Sequence, residues 1–399
     1  MTPWALFDDD GGRFGPMTDL RTFSEVRTGA ATTLERLIRC WGPPRTRIVP
    51  ESMAALVAER GGETAVGDRD TPVVLLNGRW RGRPPEAVPE RGEAWLDAEG
   101  DLAIAHLGVE DLAAFERHRE LPDSIRTSTE PAARLYRRAW EVLEDLPDRL
   151  REDLETPPVD EAVRVEAISA ERVGTHPISI DVRATIGRGV VLDATHGPIA
   201  ISAGASIGHL SVLHGPVWVG PGSVVADRTQ LKAATVVGPV CKVGGEIGAT
   251  IFQGHANKVH DGHLGDSWIG EWANLGAGTT NSNLLNTYGE VSMRLEPDGP
   301  SERSGRTALG CLVGDHVKFA ILVRIMTGSS FGTGSMVATT DPPRSVGRFR
   351  WLTARGESGY RLERFLETMA TVQARRGFAA GPAYLDRLRA LHEAGRADR

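Results

Sequence analysis

Three histidines fall within nine residues: His255, His260 and His263. An imidazole titrates close to neutral pH, so each could take a proton from a nucleophile as a general base. The same histidines could instead bond to backbone at a turn, or ligate a metal, although the 255–260–263 spacing fits no standard metal pattern. Carboxylates able to orient an imidazole lie close by at Glu246, Asp261 and Asp266. Cations are close too. The chain has only four lysines (Lys232, Lys242, Lys258 and Lys318), and Lys242 and Lys258 both lie near the histidine group. A lysine ammonium is a point charge suited to phosphate.

The elements that must position these residues follow a period of six. Ile180, Ile186 and Leu192 open the series. After a three-residue insertion it resumes at Ile201 and runs through Ile207, Leu213, Val219, Val225, Leu231, Val237 and Val243. The register returns at Ile269, Leu275, Val313, Phe319, Ile325, Phe331 and Val337, with glycine following several members. A six-residue unit makes one flat side and one turn, and three units close a triangular coil. The aliphatic residue points inward and stacks on its equivalent one coil later. A β-sandwich would alternate with period two instead. The spacing therefore predicts a solenoid of short parallel strands over about 180–343. The stretch 282–309, with Pro297-Asp298-Gly299-Pro300, breaks the repeat and reads as a loop at the functional face.

Residues 1–154 read as a mixed α/β domain. Val73 to Leu76 forms a buried strand ending at the Asn77-Gly78 turn. Thr33–Cys40 reads as a helix capped by Thr32 or Thr33. Leu135, Ala139, Val142, Leu143, Leu146 and Leu150 predict a helix over 131–154. The expected boundaries are 1–154 for this domain, 155–343 for the coil and 344–399 for a helical tail. That tail carries twelve arginines against six acids, a solvated face or a surface for an anion or a neighbouring subunit.

The segment from His260 through Leu264-Gly265-Asp266 and Ile269-Gly270 to Asn274-Leu275-Gly276-Ala277-Gly278-Thr279 resembles the left-handed parallel β-helix acyltransferases. It is most similar to the acetyltransferase half of the bifunctional enzymes that acetylate glucosamine 1-phosphate and then uridylylate it. The N-terminal motifs Leu6-Phe7-Asp8-Asp9, Pro16-Met17-Thr18 and Asn77-Gly78-Arg79 resemble a divergent bacterial branch with a sugar-nucleotidyltransferase-like domain. The resemblance implies an α/β nucleotidyltransferase-like domain, a left-handed β-helix and C-terminal helices. It implies His260 as catalytic base, with Lys242, Lys258, Asn274, Asn283, His263 and Glu246 on the substrate. His263 stands where the family has tyrosine. Ala277, in a tight Gly-Ala-Gly stretch, and Arg324 would meet the donor, acetyl-CoA. The expected function is acyl transfer to an amino-sugar phosphate or nucleotide sugar, in a homotrimer.

Two alternatives stand beside it. One is sugar-1-phosphate nucleotidyl transfer with UTP or dTTP, the coil serving as oligomerisation scaffold. The other is a non-catalytic nucleotide-sugar-binding protein. For nucleotidyl transfer, Asp8 or Asp9 would hold Mg²⁺, and Arg13, Arg21 and Arg27 would grip phosphate in a domain without lysine. Asn77 and Arg79 replace a motif that ends in a metal-binding aspartate, and arginine cannot coordinate a cation.

The net charge of −7 argues against general nucleic-acid binding. Forty-six glycines among 399 residues, against three cysteines, suit a turn-rich fold without a disulfide framework or zinc site. No apolar run is long enough to cross a membrane. The acidic start lacks a secretory signal, so a cytoplasmic location is expected.

Overall fold

A computed structural model describes residues 3–62, 71–163 and 170–397, the side chains of 396 and 397 excepted. The N-terminal region is built on a six-stranded mixed sheet, in the order 47–48, 4–7, 73–77, 102–107, 93–96 and 126–129. Side chains alternate across a strand, and here both faces are apolar. Ala5, Phe7, Val73 and Leu75 pack on Leu112 and Phe115 of the helix Val109–His118. Trp4, Leu6, Val74 and Leu76 pack on Leu37 of the helix Thr33–Trp41. Thr32 caps that helix reciprocally with Glu35. The expected helix over 131–154 starts later, at Ala139. Before it the chain is extended, because the Tyr136 N–H bonds the Arg79 carbonyl and the Arg81 N–H bonds that of Arg134. Leu135 accordingly packs with Trp4 and Leu6 rather than on the helix stripe.

From Ala170 the chain winds as a parallel β-solenoid with three faces. The first face runs from strand Ile178–Asp181 to Ser345–Val346. The second runs from Thr185–Ile186 to Arg350–Thr353. The third runs from Ala170–Gly174 to Arg324–Ile325. The expected inward series forms the core: every member from Ile180 to Val337 is buried except the half-buried Ile186. Each such residue contributes about 1.5–3 kcal/mol when fully buried. The coil continues past 343, as the strand Arg350–Thr353 pairs with Met336–Ala338 and turns back through Gly356–Gly359.

The three faces meet different surroundings. Ala200, Trp218, Val236, Ile251, Trp268 and Leu312 make the outside of the first face apolar, and they pack on Phe14, Met17, Tyr136, Trp140 and Leu143 of the N-terminal region. The 282–309 insertion joins this contact instead of bordering the cleft described below. Its hairpin, 292–293 with 302–303, brings Val291, Met293 and Leu295 into the same cluster. Glu302 there meets Arg13 at 2.5 Å and Arg138 at 2.7 Å.

The C-terminal helices Leu362–Ala374 and Pro382–Ala397 join one apolar cluster through Phe365, Met369, Tyr384 and Leu388, together with Met53, Leu56, Val57 and Phe349. Glu59 accepts the N–H groups of Ala383 and Tyr384 at the start of the second helix, where a carboxylate is favoured. The first helix leans over the second face of the coil, and its exit closes one side of a cleft.

Candidate active site

The cleft, about 640 Å³, lies between the second face and the end of the helix Leu362–Ala374. Lys242, Asn257, Asn274 and Lys318 line it from successive coils, paired strand on strand in register. His260 follows the strand Asn257–Lys258, at the corner between the second and third faces. Its side chain is exposed and lines the cleft, and no side chain bonds its imidazole among the described residues. The backbone of Gly276 and Ala277 forms part of the wall.

The opposite wall comes from the C-terminus. Arg376 donates to the Val240 carbonyl and to Asn257 Oδ1, both at 2.8 Å. Asn257 Nδ2 in turn reaches Asn274 Oδ1 at 3.4 Å. At the back, His255 stacks on Trp272 with ring centroids 4.3 Å apart, and Phe378 covers Trp272 at 5.4 Å. Lys318 donates to the Trp272 carbonyl. Burial pushes the Lys318 ammonium down to about 8, with Arg376 adding repulsion. Burial likewise lowers the His255 imidazole, against the opposing charge of Glu271.

The cleft therefore carries Lys242, Lys318, Arg375 and Arg376, and no carboxylate among the described residues lines it. Lys242 and Arg375 are exposed, and neither makes an ion pair or side-chain hydrogen bond among the described residues. In a chain of net charge −7, this is a local concentration of unspent positive charge, which attracts anions.

Of the residues singled out from sequence, Lys242, His260, Asn274 and Ala277 come together here. Others go elsewhere. His263 and Glu246 lie on the third face, 3.3 Å apart, with Lys232 also on Glu246. Asn283 bonds Asp266 at 2.7 Å, and Arg306 sits 3.3 Å from that carboxylate. Arg324 pairs with Asp341 at 2.5 Å. Lys258 is buried inside the coil. Asn257, Trp272, Arg375 and Arg376 carry no assigned role in the sequence reading; the signal for the arginines is the basic balance of the tail.

The N-terminal candidates are tied up within the chain. Arg79 is buried and binds Asp9 at 2.7 Å, Asp101 at 2.9 Å and the Tyr136 carbonyl at 3.0 Å. Asn77 also donates to Asp9. The Arg79 guanidinium fills the space beside the glycine loop, within 2.4 Å of where a Gly11 Cβ would stand. Asp8 is buried on Ser24, and burial pushes its carboxyl up to about 6 against the pull of Arg47. With Asp9 facing a guanidinium and an amide, these residues do not fit a Mg²⁺ cradle, which needs free oxygen ligands. Arg21 is buried between Asp315 at 2.9 Å and Glu271 at 3.2 Å. It joins the N-terminal region to the coil, as does the reciprocal bonding of Gln253 with the Arg27 backbone.

No family model matches the chain. Part of it is similar to a bifunctional sugar-1-phosphate nucleotidylyltransferase/acetyltransferase. That relative, from Sulfurisphaera tokodaii, is 33% identical over 87 residues, which is 22% of this chain and 21% of the relative. The match thus spans about a fifth of the relative's length. Among solved structures, a hexapeptide transferase family protein from Anaplasma phagocytophilum aligns with 57% of this chain and 99% of its own, at 16% identity and a TM-score of 0.24. The coil is established by the chain's own strand pairing.

Proposed function

We propose that this chain is an acyltransferase working in the cleft at His260, moving an acyl group from a thioester, acetyl-CoA, to the amine of a sugar phosphate or nucleotide sugar. What carries this reading is an exposed histidine whose imidazole no side chain bonds, set in a cleft with four cations and no carboxylate among the described residues. Both partners in such a reaction bear phosphate. Lys242 and Arg375 would hold phosphate at the mouth, while Asn274 offers an uncharged amide to a hydroxyl or carbonyl. The amine nitrogen would attack the thioester carbonyl as the His260 imidazole takes its proton. Backbone at Gly276–Ala277 would face the developing oxyanion, and the C–S bond would then break as the His260 imidazolium returns its proton to the departing sulfur, releasing the CoA thiol.

The relative's description, which includes acetyltransferase activity, supports the reaction class. A homotrimer and a cytoplasmic location belong to the same proposal. No helix among the described residues is long and apolar enough to cross a membrane. Nucleotidyl transfer by the N-terminal region has the Arg79 plug against it; the plug favours a non-catalytic role for that region.

The test is thiol release from acetyl-CoA in the presence of a panel of amino-sugar phosphates and nucleotide-linked amino sugars. Turnover in the wild type that falls in His260→Ala supports the reading. Turnover unaffected by that substitution rejects it.

A further inference from the structure

The inside of the coil is apolar almost without exception. At strand positions that point inward the residue is mostly Ile, Val, Leu or Phe, from Ile180 through Val225, Val243, Leu264 and Phe319 to Leu352, with Ala194, Cys311 and the small hydroxyl residues Thr235 and Ser329 among them. Among the described residues, two longer polar side chains also stand at such positions. Lys258, in register with Val243, is only 1% exposed. Asn281, in register with Ile325, is 6% exposed. These two longer polar side chains lie in the coils that carry and follow His260.

Their bonds converge on one stretch of backbone. Lys258 Nζ donates to the His260 carbonyl at 2.7 Å and to the Gly244 carbonyl, one coil earlier, at 3.2 Å. Asn281 both accepts from the Gly265 N–H and donates to the Gly265 carbonyl, each at 2.9 Å, and reaches Ser267 at 3.1 Å. The segment from 260 to 265 is thus held at both ends from within. The corner beneath it is tight: a Cβ on Gly244 would lie 2.2 Å from the Val259 carbonyl, and one on Gly245 3.1 Å from that of His260.

A buried ammonium without a bonded carboxylate is a poor choice for stability alone, and an apolar side chain of similar volume commonly does better. Asp261 is the acid whose charge acts on Lys258, and no ion pair joins them among the described residues. Burial lowers the lysine to about 8, a sign of that cost.

We propose that Lys258 is a positioning residue: from inside the coil it ties the His260 carbonyl to the Gly244 carbonyl and fixes the corner from which the imidazole enters the cleft. This rests on the acyl-transfer function proposed above, and misplacing a reacting group by about 1 Å can cost ~100-fold in rate.

The test is Lys258→Met, close in volume and apolar, in the full chain. The expected result is a melting temperature equal to or above that of the wild type and a kcat reduced about 10- to 100-fold. KM should stay within about twofold, and backbone hydrogen exchange at 259–262 should speed up. Unchanged kcat with unchanged exchange overturns the proposal. So does a loss of kcat that only tracks a loss of folded protein. If the Met variant does not fold, Lys258→Gln, which keeps an N–H donor but cannot span both carbonyls, takes its place. Full turnover and native exchange in that variant overturn the proposal. A wild-type chain that transfers no acyl group overturns the proposed function, while exchange at 259–262 still decides the clamp.

Discussion

Two regions of this molecule carry the residue types of an anion site, and they differ in what those residues are free to do. At the glycine loop of the N-terminal region, Arg79 is spent on Asp9 and Asp101, and Arg21 on Asp315 and Glu271. At the second face of the coil, Lys242 and Arg375 line the cleft beside His260, and no acid among the described residues pairs with them. Charge type is visible in a sequence, but availability is decided by pairing, and pairing is long-range. Arg79 meets Asp9 across 70 residues, and Arg21 meets Asp315 across 294.

That contrast breaks most readily at His260. His260→Ala should lower kcat about 10²- to 10⁴-fold, the usual contribution of a general base, with little change in melting temperature because the side chain is exposed. Steady-state thiol release and a thermal melt together check this. Arg79→Ala should do the reverse. It removes a buried cation from between two carboxylates, costing about 3 kcal/mol. Turnover per folded molecule should hold, and denaturant titration alongside active-site-normalised rates would show whether it does.

Smaller effects sharpen the comparison. Lys242→Ala and Arg375→Ala should each raise KM for the phosphate-bearing substrate about tenfold, the worth of one charge-assisted hydrogen bond. Added salt should shrink the difference between variant and wild type. The smallest effect is one of pH. Burial holds Lys258 and Lys318 at about 8, below the ordinary lysine range. Between about pH 8 and that range the unfolded chain binds protons that the folded chain does not, so these two groups make stability rise with pH there. Unfolding free energy followed across this window should rise less in Lys258→Met than in the wild type.

The coil was legible because its core stacks one aliphatic residue per face per coil, and Ile201 through Val243 keep that count without a slip. It became illegible where corners shorten. Val243 and Ile247 are successive inward residues only four apart, and Lys258 then occupies an inward place that a hydrophobic pattern cannot announce. His260, Lys242, Asn274 and Ala277 were legible because they sit on or beside repeating strands. The other wall was not. Arg375 and Arg376 reach the cleft because Phe365 of the helix Leu362–Ala374 packs on His316 and Phe349 of the coil, in a cluster that also takes in Met53, Leu56 and Val57, some 300 residues earlier. The short extended run before Ala139 was hidden in the same way, since its partners are the backbone of Arg79 and Arg81.

The most direct measurement is calorimetric titration of acetyl-CoA into the wild type and into the double charge reversal Lys242→Glu/Arg375→Glu. Both side chains are exposed and unpaired among the described residues, so the fold should tolerate the change. The account predicts saturable binding to the wild type and its loss in the variant. Equal binding to both, or no binding to either, would contradict it.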